Sequence, residues 1–110
     1  MITKLYHISF PVSDLKRTAA FYENVLGLKK TGEWPTYVEF IVEGIQFGFK
    51  PGGEVEIFLL VDDVDKAYRD LKAKGVNFIT EPKDKHWGAR SAVLVDPDGN
   101  KFTIETFKKQ

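Results

Sequence analysis

The sequence predicts an α+β protein built from two tandem βαβββ modules, and three observations support this. The order strand, helix, strand, strand, strand occurs twice along the 110 residues. The Val-Ser-Asp-Leu stretch at 12–15 matches the Val-Asp-Asp-Val stretch at 61–64 within that order. A glycine, Gly27 or Gly75, follows each predicted helix, where it can adopt the left-handed conformation that ends a helix. Together they indicate an internal duplication.

Each module has one helix and four strands, so the helix covers only one face of its sheet. We expect the two half-sheets to form one curled mixed sheet around a cleft, with the helices on the outside. The short Pro-Gly-Gly segment at 51–53 joins module one (1–50) to module two (54–110). Such a short joint predicts a single domain over residues 1–110.

In module one, residues 5–12 alternate as a β-strand does. The face that carries Phe10 and Val12 is the more apolar, so it should meet the helix, and His7 and Ser9 should point the opposite way. Either Ser13 or Asp14 caps a helix that runs to residue 26. Strands at 28–31, 37–43 and 45–50 complete the module.

In module two, a strand at 55–61 precedes a helix that Asp62 or Asp63 caps. A strand at 76–80 and a polar loop at 81–88 follow. A hairpin at 91–107 ends the module. Its turn, 96–100, consists of five turn-forming residues, among which Gly99 takes a positive φ without steric cost.

Composition excludes several classes of protein. The 16 basic and 16 acidic residues give a net charge of zero, which argues against a nucleic-acid-binding surface. The absence of cysteine excludes disulfides and cysteine-based zinc sites, and it is compatible with a cytoplasmic location. We see no signal peptide and no apolar run that could cross a membrane.

Motifs in both modules resemble the vicinal oxygen chelate superfamily, which includes glyoxalase I, bleomycin-resistance and fosfomycin-resistance proteins and extradiol dioxygenases. They are the stretches 7–15, 20–22 and 26–28 in module one, and 61–64, 74–76 and 96–100 in module two. The resemblance implies paired βαβββ modules and, for a chain of this length, a homodimer. It identifies the fold more specifically than the reaction, because one fold hosts many activities.

The resemblance also implies where a metal would bind. Enzymes of this superfamily hold a divalent metal, such as zinc, nickel, manganese or iron, with His, Glu or Gln side chains from the first and last strand of each module. The four positions map onto His7, Phe47, Glu56 and Thr103. Phe47 cannot ligate and Thr103 is a poor ligand, which leaves His7 and Glu56 as a partial set. Glu105 shares a strand face with Thr103 but lies about 7 Å further along.

Other residues are candidates for contact with a ligand. Phe47 and Phe58 would make the cleft more apolar than a metal site. Trp87, in the polar loop, favours ligand or dimer contact, or else closes the core at the end of the sheet. Arg90 would meet an anionic ligand or form a surface ion pair.

Three interpretations of the function follow. The first is a protein that binds a small, partly aromatic molecule in an apolar cleft lined by His7, Phe47, Glu56, Phe58, Trp87, Arg90 and Thr103, with no cofactor. The alternative is a metal-dependent lyase, isomerase or dioxygenase acting on vicinal oxygens. The missing metal ligands at 47 and 103 favour the binding protein over the enzyme. Enzymatic activity stays open as the alternative. A third reading, an interaction module without a ligand, requires the cleft to be plugged.

Overall fold

The computed structural model describes residues 2–107, and the α+β class with two βαβββ modules is confirmed. In module one the elements are β1 (Ile2–Val12), α1 (Leu15–Ala20), β2 (Lys29–Trp34), β3 (Tyr37–Val42) and β4 (Ile45–Pro51). In module two they are β5 (Glu56–Val61), α2 (Val64–Ala73), β6 (Asn77–Phe78), β7 (Lys83–Asp84), β8 (Ala89–Val95) and β9 (Lys101–Phe107). Across residues 2–107, no helix is long and apolar enough to cross a bilayer.

The chain divides into two compact units. The first unit is Tyr6–Glu56, and the second unit joins residues 57–107 to residues 2–5 at the start of β1. In the first unit the strand order is β2-β3-β4-β1, and β1 and β4 are parallel. In the second unit the order is β5-β9-β8-β6, with β7 also pairing with β8, and β5 and β9 are parallel. Each unit therefore contains both parallel and antiparallel strand pairs.

Each helix begins at an aspartate in the same place of its module. The Asp14 side chain accepts a hydrogen bond from the backbone N–H of Arg17, and the Asp63 side chain accepts one from that of Lys66. A cap of this kind satisfies a donor that the first helical turn leaves without a partner. Of the two alternatives at each helix, the structure selects Asp14 and Asp63.

The first unit has its core between α1 and one face of its sheet. Buried Val38, Phe40 and Phe49 contact Ala19 of α1, and Phe10 lies beside them. The apolar face of β1 thus meets the helix, as the alternation predicts. The predicted single helix is divided, because α1 ends at Ala20 and a π-helical turn spans Phe21–Val25.

The second unit repeats this arrangement. Val64 and Ala67 of α2 contact Val61, Ala92 and Ile104 on one face of the sheet. Neighbouring residues of a strand point to opposite faces, so Thr103 and Glu105 lie on the face away from α2. The predicted loop at 81–88 contains one short strand, β7, which pairs with Arg90 and Ser91 of β8.

Candidate functional site

The sheet face opposite α1 carries a set of hydrogen-bonded polar side chains. His7 of β1 pairs in register with Gln46 of β4, so their side chains stand next to each other on this face. Nδ1 of His7 lies 2.9 Å from Oε1 of Gln46. An amide oxygen only accepts hydrogen bonds, so Nδ1 carries the proton. Gln46 thereby fixes the orientation of the imidazole ring.

The other ring nitrogen of His7 meets Tyr37. The Tyr37 hydroxyl lies 3.0 Å from Nε2 of His7 and 3.2 Å from Oε2 of Glu39. Burial raises the pKa of Tyr37, and the nearby charge of Glu39 adds to the increase. The side chain therefore remains a phenol near neutral pH, with one proton to donate. Both ring nitrogens of His7 thus have protein partners.

The structure changes the mapping of the fourth-strand ligand position by one residue. Phe47 pairs with Ile8 and stacks on Phe10 in the core under α1, on the face opposite His7. The residue of β4 that stands beside His7 is Gln46. The Glu43-Gly44 turn fixes the register of β4 against β3, because its two positive φ angles (50° and 79°) are those of a two-residue hairpin.

Glu56, the second candidate metal ligand, is occupied by an ion pair. Its carboxylate contacts the ammonium group of Lys50, which lies on β4 two residues after Gly48. Both side chains are partly exposed, so the pair has little weight for stability. It does supply the carboxylate with a cation.

These residues do not fit a metal centre. Nε2 of His7, the nitrogen left to bind a metal once Nδ1 is protonated, already contacts the Tyr37 hydroxyl. Glu56 is paired with Lys50. Within residues 2–107 no three His, Asp or Glu side chains come close enough to share a metal ion. A catalytic zinc site usually has three protein ligands, and a structural zinc site has four.

A second polar cluster lies in the second unit, on the sheet face away from α2. The Glu105 side chain is 1% exposed. Its Oε1 accepts hydrogen bonds from the Ser91 hydroxyl at 2.7 Å and from the Trp87 indole N–H at 3.0 Å. Burial raises the pKa of Glu105 to about 7. The carboxyl group therefore changes its charge near neutral pH, as groups at functional sites often do.

Trp87 connects this cluster to the surface. Its indole N–H points to Glu105, while 47% of the residue is exposed. The Lys85 ammonium lies 6.0 Å from the indole ring centroid, and His86 contacts the ring edge-on. The structure thus places an accessible aromatic ring, held by a hydrogen bond, over a buried carboxyl group.

Phe58 and Thr103 lie on the same face as Glu105. They are neighbours in the parallel β5–β9 pair, and Thr103 is two residues before Glu105. Thr103 is buried, and Phe58 is half-buried. These two candidates and Trp87 therefore share one face of the second unit.

Arg90 lies on the opposite face. Its guanidinium group donates two hydrogen bonds to the Asp65 carboxylate of α2, at 2.9 and 3.0 Å, and one to Asp84. The hydrogen bonds from Arg90 hold the pKa of Asp65 below its usual range. Arg90 thus connects β8 to α2 and does not reach the face of Glu105.

Gln46, Tyr37 and Ser91 are among the side chains of these clusters that the mapping from sequence missed. Gln46 could have been found, because polar and apolar residues alternate along 45–50 and place it opposite the phenylalanines. Tyr37 and Ser91 gave no such signal, since their roles depend on which strands become neighbours.

Comparison with known proteins identifies the family. The model of the Glyoxalase/Bleomycin resistance protein/Dioxygenase superfamily matches residues 4–104. The chain therefore belongs to this family. The resemblance to the vicinal oxygen chelate superfamily is thereby confirmed.

Two curated relatives and one solved structure are similar to this chain over most of its length. The protein YraH of Bacillus subtilis is 30% identical, over 96% of this chain and 98% of its own. A lactoylglutathione lyase of Salmonella typhimurium is 31% identical, over 92% of this chain and 90% of its own. The solved structure of the hypothetical protein BH1468 from Bacillus halodurans has a TM-score of 0.80 at 22% identity, over 97% of this chain and 96% of that one. This last likeness supports the fold alone.

Proposed function

We propose that the chain binds a small, partly aromatic molecule without a complete metal site. The observation that carries this proposal is the half-exposed indole of Trp87, held by its hydrogen bond to buried Glu105. An indole fixed in this way offers a flat apolar surface at little entropic cost. Phe58 and Thr103 extend the same face, and His7 and Glu56 belong to the polar face of the first unit.

The indole N–H signal of Trp87 in a ¹H–¹⁵N NMR spectrum tests the proposal. The chain has two tryptophans, so Trp34→Phe assigns the two signals. We expect millimolar benzamide or indole to shift the Trp87 signal in a saturable way while the Trp34 signal stays in place. Equal small shifts at both tryptophans, or none, would contradict a site at Trp87.

The family resemblance also supports a homodimer, which we include in the proposal. Light scattering after size-exclusion chromatography measures the mass directly. A particle of the 12.5 kDa monomer mass at micromolar concentration would contradict it.

A metal-dependent lyase, isomerase or dioxygenase is the second candidate. One observation favours it: Gln46 accepts the Nδ1 proton of His7, which is how metal-binding histidines are usually oriented. The similarity to a lactoylglutathione lyase agrees. Such a function requires Tyr37 to leave Nε2 of His7.

Calorimetric titration of metal-stripped protein with Ni²⁺, Zn²⁺ and Mn²⁺ separates the two candidates. His7→Ala is the matched variant. Micromolar or tighter binding that this variant abolishes would favour the enzyme. Absence of His7-dependent binding would favour the metal-free protein.

A further inference from the structure

Glu105 is a buried carboxyl group to which no cationic side chain of residues 2–107 is hydrogen-bonded. Its two hydrogen-bond donors, Ser91 and Trp87, both act on Oε1 and are neutral. Burial alone accounts for the raised pKa, with no charged side chain of residues 2–107 contributing. An ionised carboxylate in such a place is unfavourable unless a positive charge compensates it.

The second oxygen of this carboxyl group, Oε2, has no hydrogen-bond partner in the part of the chain that the structure describes. Each fully buried side-chain nitrogen or oxygen within residues 2–107 has a hydrogen-bond partner. Those residues provide none for Oε2 of Glu105, so Oε2 must hold the small exposed part of the side chain. A ligand that reaches Oε2 would leave the hydrogen bonds of Ser91 and Trp87 to Oε1 in place.

The indole ring of Trp87 favours cations at the same place. The faces of indole attract positive charge, and the Lys85 ammonium lies 6.0 Å from the ring centroid. Lys85 is thus a built-in cation on the ring that a ligand cation can replace. An anionic ligand would be repelled by the electron-rich face of the indole ring and by the Glu105 carboxyl group once that group ionises.

From this geometry we infer that the second unit binds an organic cation, an ammonium or amidinium group attached to a flat apolar body. Oε2 of Glu105 receives the positive group, and Trp87 lies against the body. The inference rests on the proposed function and specifies its ligand class.

Binding of this kind is coupled to a proton. Below pH 7 much of Glu105 is protonated, so the arriving cation replaces the proton on Oε2, which passes to the buffer. Above pH 8 the carboxylate is already ionised and no proton is released. Ser91 and Trp87 are hydrogen-bonded to the carboxyl group, and Leu60 of β5 pairs with Glu105. The loop at 81–88 carries the titratable residues Glu81, Lys83, Asp84, Lys85 and His86, and the last two lie at the Trp87 ring.

Three probes that share one aromatic ring test the inference. Benzamidine is positive, benzamide is neutral and benzoate is negative. We expect benzamidine to bind at least about tenfold more tightly than benzamide, the gain of one charge-assisted hydrogen bond, and benzoate to bind most weakly. Calorimetry in two buffers of different ionisation enthalpy should show release of nearly one proton at pH 6 and of almost none at pH 8.5.

Variants identify the group that releases the proton. Glu105→Gln keeps an oxygen for Ser91 and Trp87 but cannot ionise, so it should bind benzamidine and benzamide equally and release no proton. Glu81→Gln removes an exposed carboxylate at the start of the same loop and should behave as the native protein. His86→Gln should leave the proton release unchanged, and Lys85→Met should tighten benzamidine binding by removing its competitor.

The outcomes separate this inference from the proposed function. Equal affinity for benzamidine and benzamide, with both shifting the Trp87 signal, would overturn the cation site and keep an aromatic site. Proton uptake, or tighter binding of benzoate, would overturn it in the same way. Failure of all three probes to shift the Trp87 signal would overturn both.

Discussion

The ring of Tyr37 lies directly against Gly48, so that a methyl group on Gly48 would overlap the Tyr37 hydroxyl. The two residues are on neighbouring strands, β3 and β4, and the contact brings the hydroxyl to Nε2 of His7. The missing side chain at Gly48 therefore determines the partner of His7.

Gly48→Ala should destabilise the protein by about 1–3 kcal/mol, because Tyr37 must leave its position. In a Tyr37→Ala background the same substitution should cost much less, since the space is then open. Urea unfolding of the four proteins of this cycle measures the coupling. An equal cost in both backgrounds would mean that Tyr37 does not lie on Gly48 in solution.

Glu105→Gln should alter how stability depends on pH. The folded protein holds the Glu105 proton up to about pH 7, whereas the unfolded chain loses it near pH 4.5. The folded state therefore binds more protons between these values, and the free energy of unfolding falls as pH rises, by roughly 3 kcal/mol from this group.

The Gln variant lacks this loss. Its stability relative to the native protein should rise between pH 5 and pH 8, as measured by urea unfolding at each pH. Glu81→Gln is the control, and its difference from the native protein should not change with pH. A Glu105→Gln difference that is also constant would show that Glu105 ionises normally.

Arg90→Lys should weaken the connection between β8 and α2 without changing the affinity for ligands. Lysine cannot form the two parallel hydrogen bonds that Arg90 makes with Asp65. The pair is partly exposed, so we expect a loss of at most about 1 kcal/mol in unfolding free energy. Benzamidine affinity should stay unchanged, and a large decrease would mean that Arg90 reaches the ligand after all.

Gly99→Val should strongly destabilise the β8–β9 hairpin. Gly99 has a φ of +89°, which a β-branched residue adopts only with strain of about 1–3 kcal/mol or more. Thermal unfolding measures the effect. The control is Asp98→Ala, which alters the same turn at a residue whose φ is not positive. An unchanged melting temperature for the valine variant would contradict the turn.

The periodic parts of the sequence predicted most of the fold. The alternation along β1 correctly assigned Phe10 to the core and His7 to the other face, because successive side chains of a strand point in opposite directions. The same rule applied to 45–50 would have placed Phe47 in the core, but the family mapping was preferred there. The π-helical turn at Phe21–Val25 and strand β7 gave no periodic signal.

The sequence by itself determined the two modules, a helix cap at 13–14 and another at 62–63, the hairpin turn and the family. These depend on residues close together in the chain, whose propensities act locally. Only the tertiary structure decided that Tyr37 occupies Nε2 of His7 and that Glu105 is buried under Trp87. Those contacts join residues that lie far apart in the sequence, and the dielectric environment that raises the pKa of Glu105 exists only after the strands have assembled.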